Sequence, residues 1–226
     1  MPTPTVAIVV AAGAGVRMGA AVPKALMPLA GRPMLAWSLD ALRACARVEA
    51  VVIVAPPGLE AQVGEVAGDA ATVVPGGDSR AESVREGLRA APAGAALVLV
   101  HDAARPLLTT ALVDAVLDGV EGADGAIAAA PAADTLKRAG EGSLIEGTVP
   151  RQGLWGAQTP QAFHLHVLAA AVEAADEEGR LAAATDCASL LEARGGRVRL
   201  VESRAPNLKV TTPADAALAE ALLRAR

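Results

Sequence analysis

Arg17 and Lys24 stand seven residues apart in a loop that also carries Gly13, Gly15 and Gly19, directly after the apolar run Val6 to Ala12. A buried strand that ends in a glycine turn delivers backbone N–H groups to an anion. Two cations on such a loop suit a polyphosphate whose charge must be neutralised as a bond to phosphorus breaks. Two better-known glycine patterns do not fit. A dinucleotide fingerprint would need glycine at Met18, and no Gly-Lys-Ser/Thr triplet of a P-loop occurs. A dehydrogenase and a P-loop ATPase are therefore disfavoured.

Two further polar clusters have the same setting, just after an apolar run. One is Gly76-Gly77-Asp78-Ser79-Arg80 with Ser83, and the other is His101-Asp102-Ala103-Ala104-Arg105-Pro106. Each alone has a plain structural reading. Arg17 and Lys24 could be solvated loop charges, Gly76-Gly77 a turn, and Asp102 a cap paired with Arg105. His101 reads as structural, His164 and His166 as solvent-facing, and Cys187 as core. It is the three clusters together, on one rim, that point to a ligand site.

The elements that must position them alternate along most of the chain. Strands are expected at Val6–Ala12, Ala50–Ala55, Ala71–Val74, Ala96–Val100 and Gly125–Ala130. Helices are expected at Pro33–Ala46, Leu59–Ala67, 79–91 and Thr110–Val120. Ser79 and Glu82 form the S-x-x-E capping box that starts one of them. This order predicts an α/β fold: a mainly parallel, twisted sheet with helices on both faces, and ligands at the C-terminal edge of its strands. After Pro131 the pattern changes. Residues 132–153 are polar and glycine-punctuated, and read as a protruding β-hairpin arm within a single domain spanning 1–226. An isolated hairpin is marginal in water, so it must pack on something, a second subunit being one candidate. Leu154–Gln158 reads as a returning strand, Leu165–Glu177 and Thr185–Arg194 as helices, and Arg197–Val201 as a late strand. Thr212-Pro213-Ala214-Asp215 starts the last helix. That helix is expected to run to the last residue, so no fused second enzyme is expected.

Composition narrows the class. A net charge of −5 argues against general nucleic-acid binding. No apolar run reaches membrane-spanning length, the N-terminus has no basic stretch before its apolar run, and Cys45 and Cys187 form no metal pattern. A cytoplasmic protein with no membrane association is expected. With 53% apolar residues the chain can build a sizeable core, carried by alanine and valine because Phe163, Trp37 and Trp155 are its only aromatic side chains.

The motifs AAGAGVRM with Pro23-Lys24, GGDSRAESV, VHDAARP, ADTLKR, TVPRQGLWGAQTPQAF, TDCASLLE and NLKVTTPAD are spread along the chain, and the resemblance they carry covers nearly all of it. In them the sequence resembles the 2-C-methyl-D-erythritol 4-phosphate cytidylyltransferases of the non-mevalonate isoprenoid pathway. The first motif alone would mark only the wider nucleotidyltransferase superfamily; HDAARP with TVPRxxLWxAQTPQ is far more specific. Ala25-Leu26 departs from the pattern, where relatives often carry Gln and an aromatic residue.

The resemblance implies a Rossmann-like nucleotidyltransferase fold and a reaction that joins CTP to methylerythritol 4-phosphate with release of pyrophosphate. It implies that Arg17 and Lys24 stabilise the transition state, and that Arg151 and Lys209 position the methylerythritol phosphate. Ala11, Ala12, Gly13, Gly15, Gly77, Asp78 and Ser83 match the part that holds the nucleotide. Asp102, Ala103, Arg105 and Thr185 match the substrate and metal neighbourhood. Thr135 and Arg151 lie on the arm, which in the family reaches into the partner's site, so a homodimer with shared active sites is implied. Mg²⁺ is the expected cofactor, with Asp102 as its candidate protein contact. The attacking group would be an anionic phosphate oxygen, so no side chain has to deprotonate it. A cytidylyltransferase for another polyol phosphate such as ribitol 5-phosphate, a nucleotidyltransferase for hexose phosphates or a molybdenum cofactor, and a nucleotide-sensing module remain alternatives.

Overall fold

A computed structural model describes residues 3–13 and 23–226. Seven strands form the main sheet: β1 (Thr5–Val10), β4 (Val48–Ala55), β5 (Thr72–Pro75), β6 (Leu97–Asp102), β7 (Gly125–Pro131), β10 (Trp155–His164) and β11 (Val198–Glu202). Their order across the sheet is β11-β7-β10-β6-β1-β4-β5. Every pairing is parallel except those of β10, which runs against both β6 and β7.

Both faces of the sheet are covered, which explains why its strands read as unbroken apolar runs. Side chains alternate across a strand. Ala7 and Val9 of β1 therefore join one core with Ile53, Leu99, Leu35, Leu39 and Val113. Val6 and Ile8 join the other with Val52, Val100, Phe163, Val84, Leu168 and Leu191. The first core lies under α1 (Met34–Ala44), α2 (Glu60–Ala67) and α4 (Thr110–Asp118). The second lies under α3 (Arg80–Arg89), α5 (Leu165–Glu177) and α6 (Cys187–Glu192). Each such fully buried aliphatic side chain contributes about 1.5–3 kcal/mol. Gly87 of α3 is needed for this packing, since a Cβ there would lie 2.5 Å from Ile8 Cγ2.

A smaller third core joins Leu29, Met34, Leu107 and Val210 to Ala219 and Leu223 of α7 (Pro213–Arg224). It anchors the segment before α7 beside a short ribbon of β2 (Pro28–Leu29) and β3 (Arg32–Pro33). The remaining strands, β8 (Leu136–Ala139) and β9 (Ile145–Val149), pair only with each other, antiparallel. They are the hairpin expected within 132–153, and Leu144 and Ile145 at its turn are 73% and 67% exposed.

Several element ends differ from the sequence expectation, and two of them have a clear local cause. The returning strand is longer and later than Leu154–Gln158, because β10 continues through Pro160 to His164. Its pairing with β7 shifts register between Ala157 and Gln161, and a proline inside a sheet is tolerated at such a bulge. The helix expected from Thr185 starts at Cys187, because Asp186 caps it by accepting from Ser189 N at 2.9 Å.

Candidate active site

Strands β4 and β5 lie on one side of β1, and β6 lies on the other. The order reverses between β1 and β6, and a crevice opens past their C-terminal ends, where open α/β sheets bind ligands. The loops there continue the ladder before diverging. Ala11 N donates to Val54 O at 2.9 Å, Gly76 N to Ala55 O at 2.8 Å, and Ala103 N to Val10 O at 3.1 Å. A cleft of about 450 Å³ results.

Ala11, Ala12, Gly13, Lys24, Gly77, Asp78, Ser83, Asp102, Ala103 and Lys209 all line this cleft, so ten expected site residues meet in one place. One wall is made of small residues, which lets a flat ring approach the backbone. The loop of Gly76 and Gly77 sits hard against its neighbours. A Cβ on Gly76 would lie 2.6 Å from Ala12 Cβ, and one on Gly77 would lie 2.5 Å from Glu82 Cβ. The helix that follows is fixed by its capping box: Glu82 N donates to Ser79 Oγ at 3.1 Å, and Ser79 N donates to Glu82 Oε2 at 2.6 Å. Ser83 Oγ donates to Ser79 O at 2.9 Å.

Asp102, the last residue of β6, is buried and carries two cations. Arg80 Nε donates to Oδ1 at 2.9 Å, and Lys209 Nζ donates to Oδ2 at 2.7 Å. Burial alone would raise its pKa, but the Arg80 and Lys209 charges and their hydrogen bonds hold it well below the usual carboxylate range. Its backbone is also fixed, since Asp102 N donates to Thr159 Oγ1 at 3.0 Å. Behind it, His101 lies 3.2 Å from Thr159 Oγ1 through Nδ1 and 3.3 Å from the Arg105 carbonyl through Nε2. Nε2 also lies 3.3 Å from Ser38 Oγ, so the ring is held between two hydroxyls and a carbonyl. Burial pushes the His101 pKa down to about 4, so the ring is neutral at pH 7.

Arg105 does not line the cleft among the described residues. It is buried, and its Nη1 donates to Asn207 O at 2.7 Å. Asn207 Nδ2 in turn donates to Thr159 O at 2.8 Å and to Gln158 Oε1 at 2.9 Å. The alternative of an Asp102–Arg105 ion pair is replaced by Arg80 and Lys209. Arg105 thus braces the segment that carries Lys209, whose neighbour Val210 donates its N–H to Ala104 O at 2.8 Å.

Thr135 and Arg151 are exposed, Thr135 just before β8 and Arg151 just after β9, where Arg151 Nη1 donates to Ala133 O. Neither they nor the exposed Thr185 lines this cleft among the described residues. Gly15 and Arg17 lie outside the described residues. Sequence reasoning placed Arg80 in the second rim cluster without giving it a role, and left Thr159 out of the site. Arg80 sits two residues beyond Asp78 in the GGDSRAESV motif, but nothing local shows that its partner is 22 residues away.

A family model described as 2-C-methyl-D-erythritol 4-phosphate cytidylyltransferase matches residues 5–225. The chain belongs to this family. It is 48% identical to the 2-C-methyl-D-erythritol 4-phosphate cytidylyltransferase of Ralstonia nicotianae, over 96% of this chain and 90% of that one. It is 43% identical to that of Prochlorococcus marinus, over 97% and 98%. Among solved structures, the cytidylyltransferase of the same description from Thermus thermophilus superposes with a TM-score of 0.82 at 37% identity, covering 96% of this chain and 98% of that one. The cytidylyltransferase family thus carries the α/β architecture described above, and the switch-point cleft is the place where this member brings its charged side chains together.

Proposed function

We propose that the protein transfers the cytidylyl group of CTP to 2-C-methyl-D-erythritol 4-phosphate, releasing pyrophosphate, as a step of isoprenoid precursor biosynthesis. The observation that carries the reading is the cleft itself. It sets Lys24 and Lys209 around a small-residue wall and, among the described residues that line it, offers no histidine or cysteine. Such a site suits a reaction whose nucleophile is already an anion and needs no base. Its difficulty is bringing one phosphate onto another, and fixed cations reduce that repulsion and stabilise the charge that develops. Holding the acceptor oxygen in line with the α-phosphate supplies the second large contribution.

The roles follow from position. The segment Ala11 to Gly13, with Gly77 and Ser83, suits the nucleoside, because small side chains let backbone N–H and C=O groups reach base edges. Lys24 and Arg17 are the cations for the triphosphate. Lys209, on the other side of the crevice, serves the acceptor phosphate. Magnesium fits the donor set in a limited way. No group of three or more ligand-type side chains occurs among the described residues, and Mg²⁺ typically keeps its waters and takes one or two carboxylates plus substrate phosphates. Asp102, whose Oδ2 accepts from Lys209, would be the carboxylate that holds it. When bound, it would neutralise charge on the triphosphate.

A second copy of the chain would complete the site. The exposed Leu144 and Ile145 of the hairpin favour burial against a partner, and Thr135 and Arg151 ride on the same arm. Among the described residues no helix is long and apolar enough to cross a membrane, which accords with small, freely diffusing substrates.

Pyrophosphate release tests the reading, with methylerythritol 4-phosphate, ribitol 5-phosphate and glucose 1-phosphate offered in parallel beside CTP and Mg²⁺. Turnover with the first alone is expected. Turnover only with another acceptor would overturn the roles given to Thr135, Arg151 and Lys209.

A further inference from the structure

Asp102 has two cationic partners where one would balance its charge. We infer that Arg80 is a positioning residue: it keeps Asp102 through Oδ1, so that Lys209 is the cation free to leave Oδ2 for the phosphate of the acceptor. The inference rests on the cytidylyltransferase reading of the cleft.

The two partners are held very differently. Arg80 is the first residue of α3, directly after the Ser79 cap, so its backbone is fixed by the capping box. Its side chain is only 24% exposed. Nη1 rests 3.8 Å from the sulfur of Cys187, a buried thiol on the first turn of α6, and Nη2 is buried without a partner. The guanidinium therefore holds one carboxylate oxygen through Nε, with protein packed behind it. Lys209 is 41% exposed, lines the cleft, and carries a compact ammonium on a flexible stem.

This asymmetry decides which cation moves. If Lys209 were the sole partner, its departure would strand a buried carboxylate, and breaking a buried pair by removing one partner is strongly unfavourable. With Arg80 in place the carboxylate keeps a counter-charge when Lys209 leaves. Arg80 also repels the Lys209 ammonium across the shared carboxylate and so weakens its hold. Asp102 then acts as a parking site for Lys209 between turnovers, and Arg80 sets how tightly it parks.

The test pairs kinetics with a titration of inorganic phosphate, which probes Lys209 whichever sugar phosphate the enzyme takes. Arg80→Met should raise KM for methylerythritol 4-phosphate about tenfold while KM for CTP moves less than about twofold, and should weaken phosphate binding by about the same tenfold factor. Arg80→Lys should recover most of both. Arg85→Met removes the same charge further along α3, where the side chain pairs with Asp176 and Glu86, and should behave as native protein. Phosphate binding unchanged in Arg80→Met, undetectable in the native protein, or weakened equally by Arg85→Met would overturn the inference. Failure of the native protein to use methylerythritol 4-phosphate would instead overturn the function proposed above, and the phosphate titration would still decide the role of Arg80.

Discussion

The Nη1 atom of Arg105 donates to the backbone carbonyl of Asn207 at 2.7 Å, across 102 residues of sequence. This bond ties the loop after β6 to the segment that carries Lys209, and it places a buried cation on a backbone carbonyl. Arg105→Met should therefore lower stability by about 1.5–3 kcal/mol, the range for hydrogen bonds to charged groups. Chemical denaturation reads the loss. A native midpoint in this variant, with activity alone reduced, would return Arg105 to the substrate.

His101 gives the protein a pH dependence with a definite sign. Its pKa is about 4 in the fold against 6.5 for an unperturbed side chain, because burial disfavours the charged ring. The unfolded chain therefore binds the proton first. The His101 contribution is full above about pH 6.5 and is lost between there and about pH 4, a loss on the order of 3 kcal/mol. Asp102, held below the usual carboxylate range, stays ionised in the fold through that window, and its own contribution is lost only below about pH 5, where the unfolded carboxylate begins to take up a proton. Denaturation midpoints across pH 5–7 should slope downward for native protein and flatten for His101→Gln.

Strand spacing and capping were the legible part of the sequence. The runs at β1, β4 and β6 read as buried strands because both faces are covered. Ser79–Glu82 and Thr212–Asp215 announced α3 and α7 through side chains that bond their own helix starts. The site was legible as three clusters, yet its wiring was not. Arg80 meets Asp102, and Asn207 meets Thr159, only because strand order brings distant segments together, and no local pattern encodes that order. The course of β10 was hidden for a different reason: Thr159-Pro160 reads as a strand stop, and only the bulge opposite β7 lets the strand continue.

The α3 cap is a modest but separable contribution. Ser79→Ala removes the acceptor for Glu82 N, and should cost about 1 kcal/mol of stability. Thermal unfolding measures it, and Ser79→Gly, which is tolerated far better at this position, should restore most of the loss.

The hairpin predicts association. Ile145→Asp places a charge on the exposed apolar turn. In the proposed dimer it should shift sedimentation toward the single chain, with activity falling in step as Thr135 and Arg151 would leave the neighbouring site. Full activity in a demonstrably single chain would remove the arm from the mechanism.

The central claim is that fixed cations in the β1–β6 crevice drive attack of one phosphate on another. Phosphorus NMR of CTP, methylerythritol 4-phosphate and Mg²⁺ with the protein tests it most directly. Native protein should produce the coupled signals of a new diphosphate together with pyrophosphate, and Lys24→Ala should do so about 100- to 1,000-fold more slowly, the typical effect of losing one such stabilising group. Formation of CMP without a diphosphate product, or a Lys24→Ala rate equal to native, would contradict the account.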